Sequence, residues 1–314
     1  MCPNMELIKE KFYGGIIGNG LGDAIGELAF KYGKRENLIQ QVDNRKVISY
    51  TDDAAMALGI AETIISSNGE WTTQELGEKF HLNYKKEPYR GYGMGPPRIF
   101  SIVEDTNKTY NEVAQSLFGG EGSYGNGASM RIAPLGIFYY DAENLYDIAQ
   151  KAAVATHTHP LGIDGAALLA KLAGLLVPKD PNMYSVEEHR IDLITQLIDF
   201  AKTSKYKGKL SKIKELLIND SSLLQGEREL GSNVLAFKSV PFSIFAFLKE
   251  PNTFRNSLLD TVLISSDRDT VGAMVGGLLG AYLGISHIPE NWMEKLENIS
   301  YFRELAEDMY NLKN

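Results

Sequence analysis

The sequence predicts an all-α protein, a single multi-helix domain spanning residues 1–314. Three observations carry that prediction. Apolar residues recur at helical spacing through most of the chain, which gives each helix one apolar face. Few segments alternate apolar and polar with period two, so there is little from which to build half-buried strands. Two segments also carry a glycine at every fourth residue: Gly14, Gly18, Gly22 and Gly26, then Gly272, Gly276, Gly280 and Gly284. An interior helical glycine costs about 0.5–1 kcal/mol against alanine, so a stripe of them belongs where another backbone comes close. The stripes predict two central helices in tight contact.

Taken in order, residues 6–30 form the first striped helix. Residues 31–50 are polar and read as a loop that delivers the chain to Thr51. From Asp53 to Ser66, Met56, Ile60 and Ile64 keep helical spacing. Thr72 and Thr73 ahead of Gln74-Glu75 have the pattern of a helix start. Arg90-Gly91-Tyr92-Gly93-Met94-Gly95-Pro96-Pro97 reads as a rigid glycine-rich loop, followed by helix around Ile99–Val103 and Asn111–Leu117. A second glycine-rich segment fills 118–134. Ala152 to Leu176 is an Ala- and Leu-rich helical stretch, interrupted by Thr156-His157-Thr158-His159-Pro160. A polar connection over 179–190 leads to amphipathic helices at 191–201 and 211–218, with Lys202 to Lys214 as a solvated face. Leu235–Leu248, broken by Pro241, and Phe254–Ile264 lead into Asp267 and the second striped helix. No repeat of 20–50 residues is present.

Charge and composition exclude some partners. A net charge of −8 opposes a nucleic-acid backbone or an anionic membrane as the main partner. The single cysteine, Cys2, allows no intrachain disulfide and suits a reducing compartment. The first residues mix charges with apolar side chains, unlike a signal peptide. The longest apolar run, Val271 to Ile285, has 15 residues and falls short of a membrane span. A soluble, cytoplasmic monomer is the expectation.

The chemistry-bearing residues fall into two acidic clusters and one loop. Tyr50-Thr51-Asp52-Asp53 and Asp267-Arg268-Asp269-Thr270 each set two Asp and one Thr directly ahead of an apolar helical run. Each also reads as a helix cap, with Thr51 or Asp52 as N-cap and the acids favoured by the helix dipole. If the clusters converge, Thr51, Asp52, Asp53, Asp267, Asp269 and Thr270 offer six oxygen ligands and four negative charges. Two divalent cations would neutralise these, and an all-oxygen set selects Mg²⁺, ahead of Mn²⁺ or Ca²⁺. The segment Phe118-Gly119-Gly120-Glu121-Gly122-Ser123-Tyr124-Gly125-Asn126-Gly127 contains G-x-G-x-x-G, but no strand precedes it, so it is not a dinucleotide-fold motif. Its bare N–H groups can approach an anion, and Phe118 and Tyr124 can flank a planar ring. A plain surface loop is the alternative. His157 and His159 have no further His or Cys nearby and read as packing or hydrogen-bonding residues, not metal ligands.

With these residues in view, the chain resembles the ADP-ribosylglycohydrolase (ADP-ribosyl-acceptor hydrolase) family over nearly its whole length. Gly22-Asp23-Ala24-Ile25-Gly26 resembles the family's first-helix signature, and the two Asp clusters resemble its metal-ligand clusters. The segments 90–95, 122–127 and Thr156-His157 with Leu161-Gly162 look closest to the branch acting on serine-linked ADP-ribose and poly(ADP-ribose). The resemblance implies an all-α fold with a two-Mg²⁺ centre and hydrolysis of the bond between ADP-ribose and an acceptor. The acceptor would be an ADP-ribosylated protein or an ADP-ribose-containing small molecule; nucleic acid would enter only as an ADP-ribosylated acceptor. It further implies that Phe118 and Tyr124 hold the adenine, with Val234 on the same side. Glu121, Gly122, Ser123, Gly125, Asn126 and Gly127 would cradle ribose and pyrophosphate, Gly91 and Gly93 would line the substrate, and His157 would touch it near the scissile ribose. Asp53 and Asp267 are the candidates for taking a proton from the attacking water. Ser239-Val240-Pro241 reads as scaffold.

Two departures from the family pattern stand out. The serine-specific branch has a glutamate where this chain has Phe30, and Glu27, one residue after Gly26, is expected to point elsewhere on the helix. Ser265-Ser266 and Arg268 replace the usual Gly-Gly and a small residue, which places bulk and a cation beside the second cluster. A catalytically silent ADP-ribose-binding protein of the same fold is the alternative reading, and release of free ADP-ribose separates the two.

Overall fold

In the computed structural model, which describes residues 5–314, helices follow one another from end to end. Cys2 lies outside the described residues. The order is α1 (Met5–Lys31), α2 (Arg35–Asn44), α3 (Asp52–Ser66), α4 (Thr73–Lys86), α5 (Gly95–Asp105) and α6 (Tyr110–Ser116). Then come α7 (Gly127–Met130), α8 (Ala133–Phe138), α9 (Leu145–Ala153), α10 (Pro160–Leu176), α11 (Val186–Phe200) and α12 (Ser204–Ile218). The last six are α13 (Leu223–Leu230), α14 (Ala236–Lys249), α15 (Phe254–Ile264), α16 (Arg268–Leu283), α17 (Glu290–Met293) and α18 (Ile299–Lys313). Among the described residues β structure is limited to two isolated bridges, Ile48 with Leu296 and Gly125 with Leu235. No helix among them is long and apolar enough to cross a membrane.

The glycine stripes do what their spacing demands. α1 and α16 run antiparallel at the centre, and a Cβ on Gly22 would stand 1.9 Å from the carbonyl oxygen of Gly272. Gly18 meets Gly276, Gly14 meets Gly280, and Gly26 meets the backbone of Arg268. Any side chain at these positions would force the helices apart. The close approach also fixes the site, because α16 begins with the second acidic cluster and α1 reaches past the first.

The remaining helices wrap this pair, and their apolar faces close into one contiguous core. Local signals explain several boundaries. Thr72 and Glu75 form a reciprocal capping box at the start of α4, and Thr109 with Glu112 does the same for α6. Pro160 sits in the first turn of α10, where its missing N–H costs nothing. Pro241, expected to break its segment, lies inside a continuous α14.

Residues 31–50 do not form a loop throughout. α2 occupies 35–44 because Leu38 and Val42, spaced i and i+4, are fully buried against the core. Its polar face hides that short apolar pair, and Arg35 ties it to Asp260 and Asn256 of α15. The Lys-rich face of 202–214 is the exposed side of α12, whose Tyr206, Leu210 and Ile213 are buried.

Candidate functional site

The first acidic cluster opens α3, and its cap comes from another helix. Thr51 has the backbone of an N-cap residue, but its side chain does not cap, nor does that of Asp52. The carboxylate of Asp23, buried in α1, takes that role. Its Oδ2 accepts from the N–H of Thr51 at 2.8 Å and of Ala54 at 2.9 Å, and its Oδ1 accepts from the Thr51 hydroxyl at 2.7 Å. Thr51 is thus the N-cap residue by position, as one of the two expected alternatives, but Asp23 and not its own side chain supplies the capping oxygen. With Asp23 satisfying the helix end, Asp52 and Asp53 are free to face a cavity. Asp53 is 2% exposed, and its Oδ1 has no hydrogen-bond partner. Burial, with the carboxylates of Asp269, Asp23, Asp52 and Asp267 adding repulsion, pushes its pKa well above the ordinary value. Asp52 is pushed up to about 7, by burial first and by Asp269 second.

The second cluster opens α16. Segment 232–236 acts as a strap: the N–H of Asp267 donates to the Ser232 carbonyl at 2.9 Å, and the N–H of Ser266 donates to the Ser232 hydroxyl. Asn126 donates to Asp267 Oδ2 at 2.6 Å. Burial and the neighbouring Asp269 still carry the Asp267 carboxyl up to about 7, with Asn126 opposing the shift. Asp52, Asp53, Asp267 and Asp269 line one cavity, so two clusters far apart in sequence meet.

One expectation about this cluster is corrected. Arg268 does not present a cation to the cavity. Its guanidinium turns back onto the carbonyls of Ala29, Leu263 and Ser265, at the C-terminal ends of α1 and α15. Glu27 is exposed on α1 and lies outside the cavity lining, and burial together with the charge of Asp269 pushes its carboxyl up. Phe30 is half exposed at the end of α1.

Opposite the acids lies the glycine-rich segment. Gly122 has φ +74°, and a Cβ there would stand 2.0 Å from the Thr158 hydroxyl, so this turn accepts only glycine. Two backbone bonds stitch the segment to the strap, Asn126 N to Val234 O at 3.0 Å and Ala236 N to Tyr124 O at 3.1 Å. They bring Val234, 61% exposed, beside Tyr124, with Phe118 also exposed. Gly91 approaches from the 90–95 loop, near Asp52 Oδ1. Arg90 anchors that loop, donating to Glu297, Glu87 and the Tyr50 carbonyl while stacking over the Tyr50 ring.

These parts enclose a cavity of about 430 Å³. Of the residues singled out in the sequence, Asp52, Asp53, Gly91, Gly93, Phe118, Gly122, Ser123, Tyr124, Gly125, Asn126, Gly127, His157, Val234, Asp267, Asp269 and Thr270 line it. Thr51 sits behind Asp53, with its hydroxyl 3.1 Å from Asp53 Oδ2, and Glu121 faces solvent outside the lining. Asp23, Arg131 and the hydroxyl of Thr156 were not anticipated as site residues. Their sequence signal is a charged residue set among small and apolar ones, in Gly22-Asp23-Ala24 and Met130-Arg131-Ile132.

The family model for ADP-ribosylglycohydrolase matches residues 4–314. The chain belongs to the ADP-ribosylglycohydrolase family. As a member it is an ADP-ribosyl-acceptor glycohydrolase by class. It is 30% identical to the ADP-ribosylhydrolase ARH3 of Xenopus tropicalis, an alignment covering 96% of this chain and 95% of that protein. Human ADP-ribosylhydrolase ARH3 is also 30% identical, over 85% of this chain and 80% of the human protein. An ADP-ribosylarginine hydrolase, Tri1 of Pseudomonas putida, is 24% identical over 99% of this chain and 80% of its own. Among solved structures, an ADP-ribosylglycohydrolase-related protein complex superposes with a TM-score of 0.73 at 21% identity, covering 98% of this chain and 100% of that one. That likeness establishes the all-helical fold.

The donor set suits a hard cation. Every polar side chain of the two clusters that faces the cavity ends in oxygen, and one buried oxygen, Asp53 Oδ1, lacks a partner. Carboxylates pushed up by burial, and then by the charge of Asp269, are groups a cation would relieve. Among the described residues no three acidic, His or Cys side chains already meet as a ready-made ligand group. Of the two threonines, Thr270 lines the cavity, whereas the Thr51 hydroxyl donates to Asp23 Oδ1.

Proposed function

We propose that this ADP-ribosylglycohydrolase is a Mg²⁺-dependent enzyme that cleaves the glycosidic bond between ADP-ribose and a protein side chain, with serine the leading acceptor. The observation that carries the reading is the meeting of the Asp52-Asp53 and Asp267-Asp269 carboxylates in one cavity that a glycine-rich loop also lines. The serine preference is supported by the identity to proteins named ADP-ribosylhydrolase ARH3 and by the 90–95 and 122–127 segments.

Thr51, Asp52, Asp53, Asp267, Asp269 and Thr270 would hold two Mg²⁺ ions, with Mn²⁺ an admissible substitute. Bound there, the ions would polarise ribose hydroxyls and lower the pKa of a water. Asp53 or Asp267 would be the residue to take the proton from that water. The carboxylates favour the positive charge that grows on the ribose as the bond to the acceptor breaks, as in other glycoside cleavage. The N–H groups of Gly122, Gly125 and Asn126 are taken up within the protein, which leaves those of Ser123, Tyr124 and Gly127 to bind the pyrophosphate, a local device in a chain of net charge −8. Phe118, Tyr124 and Val234 form the apolar mouth for the adenine, and Tyr124 is steadied by the rings of His159 and Phe237 at 5.1 and 6.2 Å.

A peptide ADP-ribosylated on serine, incubated with the protein and Mg²⁺, is expected to release free ADP-ribose, and chelation of Mg²⁺ to stop it. Release from arginine-linked substrate alone would overturn the serine assignment. Binding of ADP-ribose with no release from any linkage would replace the enzyme with a silent binder.

A further inference from the structure

Arg131 is fully buried between the first acidic cluster and His157. It has no carboxylate partner within hydrogen-bond reach. Its Nη2 donates to the Thr156 hydroxyl at 2.8 Å and to the Ala152 carbonyl at 3.3 Å, Nη1 lies 3.6 Å from the Met56 sulfur, and the Phe80 ring covers its face at 4.4 Å. Burying such a cation is costly, so its position demands an explanation beyond packing.

The Thr156 hydroxyl provides one, because it also lies 2.7 Å from His157 Nδ1. An arginine can only donate, so the threonine oxygen is an acceptor toward Arg131. The single hydroxyl proton then needs an acceptor, and Nδ1 is the partner recorded for it. An Nδ1 that accepts must be unprotonated, which puts the ring proton on Nε2. That nitrogen faces the bare backbone of Gly125 and Gly127: a Cβ on Gly127 would stand 3.0 Å from it, one on Gly125 3.5 Å. His157 is 6% exposed, lines the cavity, and its Nε2 has no hydrogen-bond partner among the described residues.

We propose that Arg131 is a positioning residue that acts through Thr156 to lock His157 in the Nε2–H tautomer. The cavity is thereby given a neutral donor for a ribose-hydroxyl or phosphate oxygen, and no base at that point. The ligand named here rests on the hydrolase reading; the tautomer does not. Burial and the Arg131 charge both work against protonation of the ring, which agrees with that role.

The test reads the tautomer directly, by ¹H–¹⁵N correlation of the histidine rings in ¹⁵N-labelled full-length protein. His157 is expected wholly as Nε2–H in the unaltered chain. Thr156→Val removes the relay while keeping the shape, so both tautomers are expected and the Kd for ADP-ribose rises about tenfold, the scale of one hydrogen bond. Thr156→Ser restores both readouts. Arg131→Met frees the threonine hydroxyl and is expected to mix the tautomers as well. An Nδ1–H or doubly protonated ring in the unaltered chain overturns the proposal, as does a Thr156→Val variant with unchanged tautomer and affinity. If ADP-ribose fails to bind the unaltered chain at all, the hydrolase reading falls, while the ring spectrum still decides the tautomer.

Discussion

The two acidic clusters begin alike and are held in different ways. In each, an Asp occupies the second helical position, Asp53 in α3 and Asp269 in α16. The residue at the cap differs: Thr51 in the first, Asp267 in the second. The first cluster is braced from behind by Asp23, a carboxylate buried in α1 that belongs to the scaffold. The second is braced from the side by Asn126, which belongs to the glycine-rich loop lining the cavity. One cluster is thus tied to the core and the other to the binding loop. A ligand that orders segment 122–127 acts on Asp267 through one hydrogen bond, whereas Asp53 is already fixed.

Removing an acid from either cluster gives the largest expected effect. Asp52→Ala or Asp269→Ala is expected to abolish Mg²⁺ binding by calorimetry and to cut hydrolysis by at least about 10³-fold, the scale on which metal and electrostatic stabilisation act. Unchanged Mg²⁺ binding in both variants would break the picture of a shared site.

The braces separate next. Asn126→Ala leaves Asp267 without its donor and is expected to lower kcat/KM about 10–100-fold, with a small change in Tm. Asp23→Ala removes the cap of α3 and is expected to cost about 1–2 kcal/mol of stability as well as activity. Equal losses of stability in the two variants would erase the distinction between a scaffold brace and a loop brace.

Protonation offers a third test. In the metal-free chain the carboxyls of Asp52 and Asp267 sit at about 7 against an ordinary 3.8. Between these values the folded chain holds more protons than the unfolded one, so their contribution to stability is present at low pH and lost as pH rises toward 7. A bound cation reverses that loss. The rise in Tm on adding Mg²⁺ is therefore expected to be larger near pH 7.5 than near pH 5, and an equal rise at both would count against carboxylate ligation.

How much of this was legible in the sequence follows from the range of the forces involved. The α1–α16 contact was readable because its cause, a glycine every fourth residue, is local in both strands of text. The start of α4 was readable from Thr72 and Glu75 for the same reason. α2 was missed because two buried residues in a polar segment give too short a pattern. The brace from Asp23 was missed because a cap is ordinarily sought within its own helix, whereas this one arrives from 28 positions upstream. Arg131 illustrates the same limit: nothing in its neighbours announces Thr156, which a turn between α9 and α10 brings to it.

Arg268 gives the smallest effect on turnover and the clearest contrast with its flanking acids. It lies between Asp267 and Asp269 in sequence, yet its guanidinium serves the carbonyls that end α1 and α15. Those carbonyls have no intrahelical donors, so Arg268 satisfies helix ends that would otherwise depend on water. Arg268→Ala is expected to cost about 1–2 kcal/mol, seen as a Tm lower by a few degrees, with kcat and KM of the folded protein changed less than about threefold. Arg268→Lys recovers only part of the stability, because one ammonium cannot reach three carbonyls as a planar fork does. A large rise in KM with Tm unchanged would instead place the cation at the substrate, and the two clusters would then differ in charge at the cavity as well as in their bracing.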